Sequence, residues 1–220
     1  MKRIMVLAAI GTMALALTGC PTTDYTMTNG GADTPAPKGK VHKLDFESAK
    51  PGDLPPDFAH VLGEWKVQAG PDWKILRQDG AYHTNDFPRV ILKDTTFTNV
   101  HVKVKCAMLA GSTDKACGIM LRVQNSDNYF LTRANALEDN IRLYKIVDGD
   151  RQELASAGVS VKSDDWHVYE IFTEGNRFRI LWDGKEVLTH TDGTFVKGKV
   201  GLWTKADSVT AFDDFEATEQ

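Results

Sequence analysis

The chain has 220 residues, with 26 Lys and Arg against 30 Asp and Glu and a formal net charge of −4. That mildly acidic balance argues against nucleic acid as a partner. The length suits one all-β domain once a short N-terminal segment is set aside.

That segment opens with Lys2-Arg3, continues as an apolar run from Ile4 to Leu17 and closes on Leu17-Thr18-Gly19-Cys20. A basic start, a short apolar middle and a small-residue cleavage site describe a secretory signal, since the run is too short to span a bilayer. The Leu-Thr-Gly-Cys ending resembles the bacterial lipobox. The resemblance implies cleavage after residue 19, lipidation of Cys20 and a place in the bacterial cell envelope, at the outer membrane or the periplasmic face. Membrane attachment would then rest on the lipids alone. Residues 20–40 follow as the lipidated Cys and a tether rich in Thr, Pro and Gly with little to bury. Such a segment cannot offset its ordering entropy, and its reach would be about 25 Å.

Residues 41–220 form the domain. Val100, Val102, Val104 and Cys106 alternate with His101, Lys103 and Lys105, and Cys117, Ile119, Leu121 and Val123 alternate in the next run. A period of two marks half-buried strands. Turn pairs recur at Gly111-Ser112, Asp148-Gly149, Glu174-Gly175 and Asp183-Gly184, where tight hairpins need positive φ. With no amphipathic helix of useful length, the expected fold is an all-β, two-sheet antiparallel jelly-roll sandwich. Two hairpins take a predicted register. A Gly111-Ser112 loop pairs Ala110 with Thr113 and sets Cys106 opposite Cys117, Val104 opposite Ile119, Val102 opposite Leu121 and Val100 opposite Val123. A Glu174-Gly175 turn pairs Ile171 with Phe178, Tyr169 with Ile180 and Glu170 with Arg179.

With Cys20 taken by lipid, Cys106 and Cys117 remain, and the predicted register brings them within disulfide range in an oxidising compartment. Two buried thiols are the other reading, and a zinc site lacks further ligands nearby. Tyr129, Arg133 and Asn135 share a parity and so a sheet face. An aromatic, a guanidinium and an amide on one face can hold a sugar, with Glu138, Asn140 and Arg142 close behind. The other reading of Arg133 and Glu138 is an ion pair that pins the connection between two strands. Trp203 and Lys205 share another face, followed by Asp207; Trp203 is either a stacking platform or a core residue. Of the other tryptophans, Trp65, Trp73, Trp166 and Trp182, most are expected in the core, with Trp182 partly exposed beside its turn. His42, His60, His83, His101, His167 and His190 make no metal-binding spacing.

The strings Asp127–Phe130, Arg133–Asn140, Arg142–Lys145, Trp166-His167, Leu181–Gly184 and Gly198–Asp207 together resemble a concanavalin A-like lectin/glucanase jelly-roll domain. Within that superfamily they are most similar to the 3-keto-disaccharide hydrolase, or family-16-glycoside-hydrolase-like, group. Asp45-Phe46-Glu47 and Phe212–Phe215 look like its terminal strands, so the resemblance spans roughly residues 42–218. It implies a concave sheet face and a glycan or modified glycoside as partner, and does not by itself imply catalysis. The Glu-x-Asp-x-x-Glu strand of a retaining glucanase is absent, which removes that mechanism. Three functions follow: a carbohydrate-binding module resting on Tyr129, Arg133, Asn135, Glu138, Asn140, Arg142, Trp203, Lys205 and Asp207; an enzyme that hydrolyses or eliminates 3-keto-glycosides, with Glu138 the nearest catalytic candidate; or a protein-binding surface lipoprotein. No cofactor is fixed by the sequence. A structural calcium ion would use Asp45, Glu47, Asp213 and Asp214 if the terminal strands pair.

Overall fold

The structure, a computed structural model, describes residues 39–220. The signal segment, Cys20 and all but the end of the tether lie outside the described residues. Two antiparallel sheets face each other, and no helix occurs among the described residues. The eight-stranded sheet runs β13 (Lys185–Thr191), β12 (Arg177–Trp182), β11 (His167–Glu174), β6 (Val100–Ala110), β15 (Val209–Glu219), β4 (Lys74–Gln78) and β3 (Trp65–Ala69), with β1 (Val41–Leu44) paired to β15. The seven-stranded sheet runs β10 (Asp150–Gly158), β9 (Asn140–Val147), β8 (Asn128–Asn135), β7 (Ala116–Asn125), β14 (Lys199–Trp203), β5 (Arg89–Leu92) and β2 (Phe58–Leu62). This is the expected jelly-roll sandwich.

The period of two survives as burial. Val100, Val102, Val104, Cys106 and Met108 of β6 point inward, as do Cys117, Ile119 and Leu121 of β7 and Phe130 and Ala134 of β8. Aromatic pairs fill the middle, among them Phe130 with Phe178 at 4.8 Å and Phe58 with Phe215 at 5.6 Å between centroids. Such interlocking is what gives a sandwich a single packing.

The first predicted hairpin is corrected. β6 pairs with β11 and β15, and β7 with β8 and β14, so the Gly111-Ser112 loop carries the chain from one sheet to the other. The inward parity is as expected for Val100 to Cys106 and for Cys117 to Leu121, but Val123 is a correction: the left-handed backbone at Arg122 and the register break after Leu121 put it on the opposite face, with Met120 and Leu131, and the two runs meet across the core. Cys106 and Cys117 are still joined by a disulfide, with Cα atoms 6.6 Å apart, and it ties sheet to sheet. Gly111 has φ 139°, and a Cβ there would lie 1.9 Å from the Asp114 carbonyl oxygen, so the crossing needs glycine. The second hairpin keeps its faces but shifts by two residues. The turn is Gly175-Asn176, and Glu174 faces Arg177, Ile171 faces Ile180 and Tyr169 faces Trp182. Glu170 instead meets His101, at 3.0 Å, and Arg179 meets Glu186, at 2.9 Å. The Asp148-Gly149 and Asp183-Gly184 turns both take positive φ at each residue, as paired strands of this twist require.

Trp65 and Trp182 are buried, whereas Trp73 and Trp166 are exposed. Trp182 is therefore a correction: its indole stacks on His167, with centroids 4.5 Å apart, under the turn expected to expose it. His167 is held by Asp183 at 2.8 Å and by the Lys162 carbonyl at 3.1 Å, a framework role. Arg122 of β7 is buried at φ 49°. Its guanidinium donates to the carbonyls of Phe195, at 2.7 Å, Thr98, at 3.4 Å, and Gly175, and lies over the Phe178 ring.

Candidate functional site on the seven-stranded sheet

The outer face of the seven-stranded sheet is laid out by its register. Tyr129 faces Ile146, Leu131 faces Tyr144, Arg133 faces Arg142 and Asn135 faces Asn140 across β8 and β9. One transverse row reads Arg89, Trp203, Gly118, Arg133, Arg142, from β5 to β9. Polar side chains crowd one end of this face, and rings the other.

At the polar end two guanidiniums stand directly opposite each other, an arrangement that repels unless an anion intervenes. Glu138 supplies it: its Oε2 accepts from Arg133 Nη2 at 3.0 Å and lies 3.2 Å from Arg142 Nη2. Asn140 Nδ2 donates to the same oxygen at 3.1 Å, while its own Oδ1 accepts from Arg133 Nη1 at 2.6 Å. Arg133 Nη2 also reaches the Tyr144 hydroxyl, at 3.3 Å. Asn135 shapes the turn that carries Glu138, its Oδ1 accepting from the amides of Leu137 and Glu138 at 2.8 and 3.0 Å. Its Nδ2 donates to Asp114, which in turn pairs with Lys205, each at 2.8 Å. Burial pushes the Glu138 carboxyl up, but the Asn140 bond and the Arg133 and Arg142 charges outweigh it and hold the group below the usual carboxylate range. With its side chain 39% exposed, Glu138 is an ionised acceptor presented to solvent on a fixed mount.

At the other end lies a hollow of about 190 Å³ lined by Phe87, Arg89, Tyr129, Arg151 and Trp203, among others. Trp203 is wholly buried beneath Phe87, their rings stacked at 5.6 Å and 21°. It lies across Gly118, where a Cβ would come within 2.9 Å of the indole. Of the two readings of Trp203, the buried one fits its place; it supports the floor and does not stand out as a platform. Arg151 sits over both Phe87 and Tyr144, 5.5 and 4.9 Å from the ring centroids, and so joins the hollow to the polar network.

Arg133, Asn135, Glu138, Asn140 and Arg142 thus converge, Lys205 joins them through Asp114, and Tyr129 lies in the neighbouring hollow. Asp207 is spent elsewhere. Its carboxylate accepts from the amides of Ser112, Thr113 and Asp114, at 2.8, 3.0 and 2.9 Å, and so fastens the crossing between the sheets. Burial raises its carboxyl, but these three amides prevail and hold it far below the ordinary range. Sequence reasoning missed Asp114, Tyr144, Phe87, Arg89 and Arg151. Tyr144 and Arg151 had a usable signal, since Tyr144 shares parity with Arg142 and Arg151 follows from the Asp148-Gly149 hairpin.

The proposed calcium residues sit near the β1–β15 end without forming a cage. Asp45 accepts from the Glu47 amide at 3.0 Å, Glu47 from the Lys74 amide at 2.9 Å, and Asp214 pairs with Lys105 at 2.6 Å. Asp213 accepts from the Asp214 amide at 2.8 Å. Among the described residues, no three acidic, His or Cys side chains are grouped to hold a metal.

Several solved structures share this architecture. The carbohydrate binding module CBM66 from Bacillus subtilis superposes with a TM-score of 0.63 at 20% identity, covering 74% of this chain and 96% of that one. A Bacillus subtilis protein of unknown function with a galectin-like fold gives 0.62 at 11% identity over 84% and 98% of the two chains. The Bacillus licheniformis beta-glucanase gives 0.56 at 11% identity over 83% and 99%. At these identities the likeness is one of fold. No curated protein matches the chain. The family described as 3-keto-alpha-glucoside-1,2-lyase-like domain matches residues 58–217, nearly the whole of the sandwich, and the chain belongs to that family.

Proposed function

We propose that this is a lipid-anchored protein of the bacterial envelope whose seven-stranded sheet binds a glycan. The observation that carries the reading is the fixed Arg133–Glu138–Arg142–Asn140 network standing beside a ring-lined hollow on the same face. Sugar recognition needs both: apolar C–H faces lie on rings, and hydroxyls are fixed by directional donors and acceptors. Ion pairs that share a carboxylate this open to solvent add little net stability, so their orientation suits recognition better than folding. Glu138, held ionised, accepts hydrogen bonds from hydroxyl groups and is a weak base. Glu138→Gln should weaken binding of the glycan found on an array by about tenfold or more, in line with loss of one charge-assisted hydrogen bond, and should also lower the thermal midpoint as Arg133 and Arg142 lose their shared anion, so binding is measured well below that midpoint. Unchanged affinity in that variant would refute the role given to the network.

Family membership favours a second reading, turnover of a 3-keto-glycoside on the same face. Incubating the protein with a 3-keto-glucoside and following loss of the ketone separates the two. Turnover abolished by E138Q would make Glu138 catalytic, and binding without turnover would leave it a ligand contact.

The anchor is tested separately. Cys20→Ala should abolish incorporation of radiolabelled fatty acid into the protein, since the Cys20 thiol is the proposed acceptor. Labelling that persists in the variant would refute lipidation at Cys20.

A further inference from the structure

The charges on the ring-lined hollow differ from those of the polar network beside it. Arg133 and Arg142 are neutralised by Glu138, and Arg142 has Glu153 as well, at 3.5 Å. Arg89 and Arg151 have no carboxylate or hydrogen-bond partner among the described residues; their close neighbours are ring faces, Tyr129 at 5.8 Å for Arg89 and Phe87 and Tyr144 for Arg151. Both line the hollow, from opposite sides of the sheet, one on β5 and the other on the edge strand β10. The Nε of Arg89 is itself buried without an acceptor. A buried N–H lacking an acceptor is costly and calls for an explanation. The hollow's one acid, Asp127, is exposed and bonded to Ser126 at 3.1 Å. On a chain of net negative charge, this spot is rich in donors, cationic and short of acceptors.

Resting on the glycan-binding reading above, we infer that the hollow takes an acidic sugar, a residue whose pyranose ring carries a carboxylate. The volume admits a single sugar residue. The sugar would sit against the half-buried Phe87 ring, and its carboxylate would collect the guanidiniums of Arg89 and Arg151 that no protein anion uses. Guanidinium and carboxylate match as planar, two-pronged partners, and that geometry discriminates strongly against a neutral hydroxymethyl group in the same place. The neighbouring Glu138 would meanwhile accept hydroxyls of the next residue along the chain, so the two ends of the face divide the labour between charge and hydroxyl recognition.

The test uses a panel of uronic-acid oligosaccharides, each paired with its carboxyl-reduced neutral counterpart, titrated calorimetrically into the purified protein. The acid form should bind at least about tenfold tighter than its neutral counterpart, and the gap should narrow as salt is raised. Arg151→Gln, an exposed position where folding is not at risk, should erase most of that gap, and Arg89→Gln should do the same. Equal binding of acid and neutral forms would overturn the inference and leave the glycan reading standing. So would an acid preference untouched by both variants. Binding of neither form, together with a silent neutral-glycan array, would remove both.

Discussion

Trp203→Ala should lower the unfolding free energy by about 3–5 kcal/mol, the range for removing a large buried aromatic from a site that cannot collapse. The site cannot collapse because its floor is the β7 backbone at Gly118 and its roof is the Phe87 ring. Removing the indole leaves a void between two elements that are fixed for other reasons, one by strand pairing and one by the β5 loop. Urea unfolding followed by circular dichroism measures the loss, and Trp203→Phe should recover part of it. The converse substitution probes the same packing: a side chain at Gly118 has nowhere to go but into the indole. A near-neutral Trp203→Ala would mean that Trp203 is not the support of this face, and the role of the row from Arg89 to Arg142 would have to be rethought.

Reducing the Cys106–Cys117 disulfide, or replacing both residues with alanine, should cost about 3 kcal/mol, the chain-entropy value for closing a loop of roughly a dozen residues. The sequence separation is 11. Much of the effect acts on the unfolded chain, which gains freedom when the link is lost. Single and double alanine variants should therefore fall together, because losing either sulfur removes the bond. Denaturation midpoints with and without reductant give the measurement. Midpoints that coincide would show that the two sulfurs contribute only as apolar groups of the core.

The alternation of Val100 to Cys106 and of Cys117 to Leu121 is enough to identify strands and their buried faces, because parity is a local property of an extended chain, and it fails at Val123, where the left-handed Arg122 switches the faces. Which strand a face meets is not local. The Gly111-Ser112 stretch looks like any hairpin turn, yet Asp207, nearly a hundred residues away, holds it open as a crossing between sheets. The disulfide was legible all the same, since two inward cysteines near a loop come close whether their strands pair or face each other. In the site, Tyr129, Arg133, Asn135, Glu138, Asn140 and Arg142 fall within one hairpin, and proximity along the chain brought them together in sequence as in space. Phe87 and Arg89 reach the same face only through the β5–β14–β7 ladder, which no periodicity reveals. Trp203 gave an ambiguous signal because its neighbour Gly118, the residue that decides its depth, lies 85 positions earlier. Asp207 was indistinguishable in sequence from a ligand-facing acid, since a carboxylate that fastens backbone amides and one that binds hydroxyls are the same residue in the same kind of turn.

Arg122 has a consequence for motion. Its three carbonyl partners belong to three separate connections: Thr98 between β5 and β6, Gly175 between β11 and β12, and Phe195 between β13 and β14. A connection that swung away by itself would strand a buried positive charge with an unmet donor, a penalty far larger than the usual cost of fraying a surface turn. Excursions of the three are therefore concerted, and loops from both sheets open as one cooperative unit or stay shut.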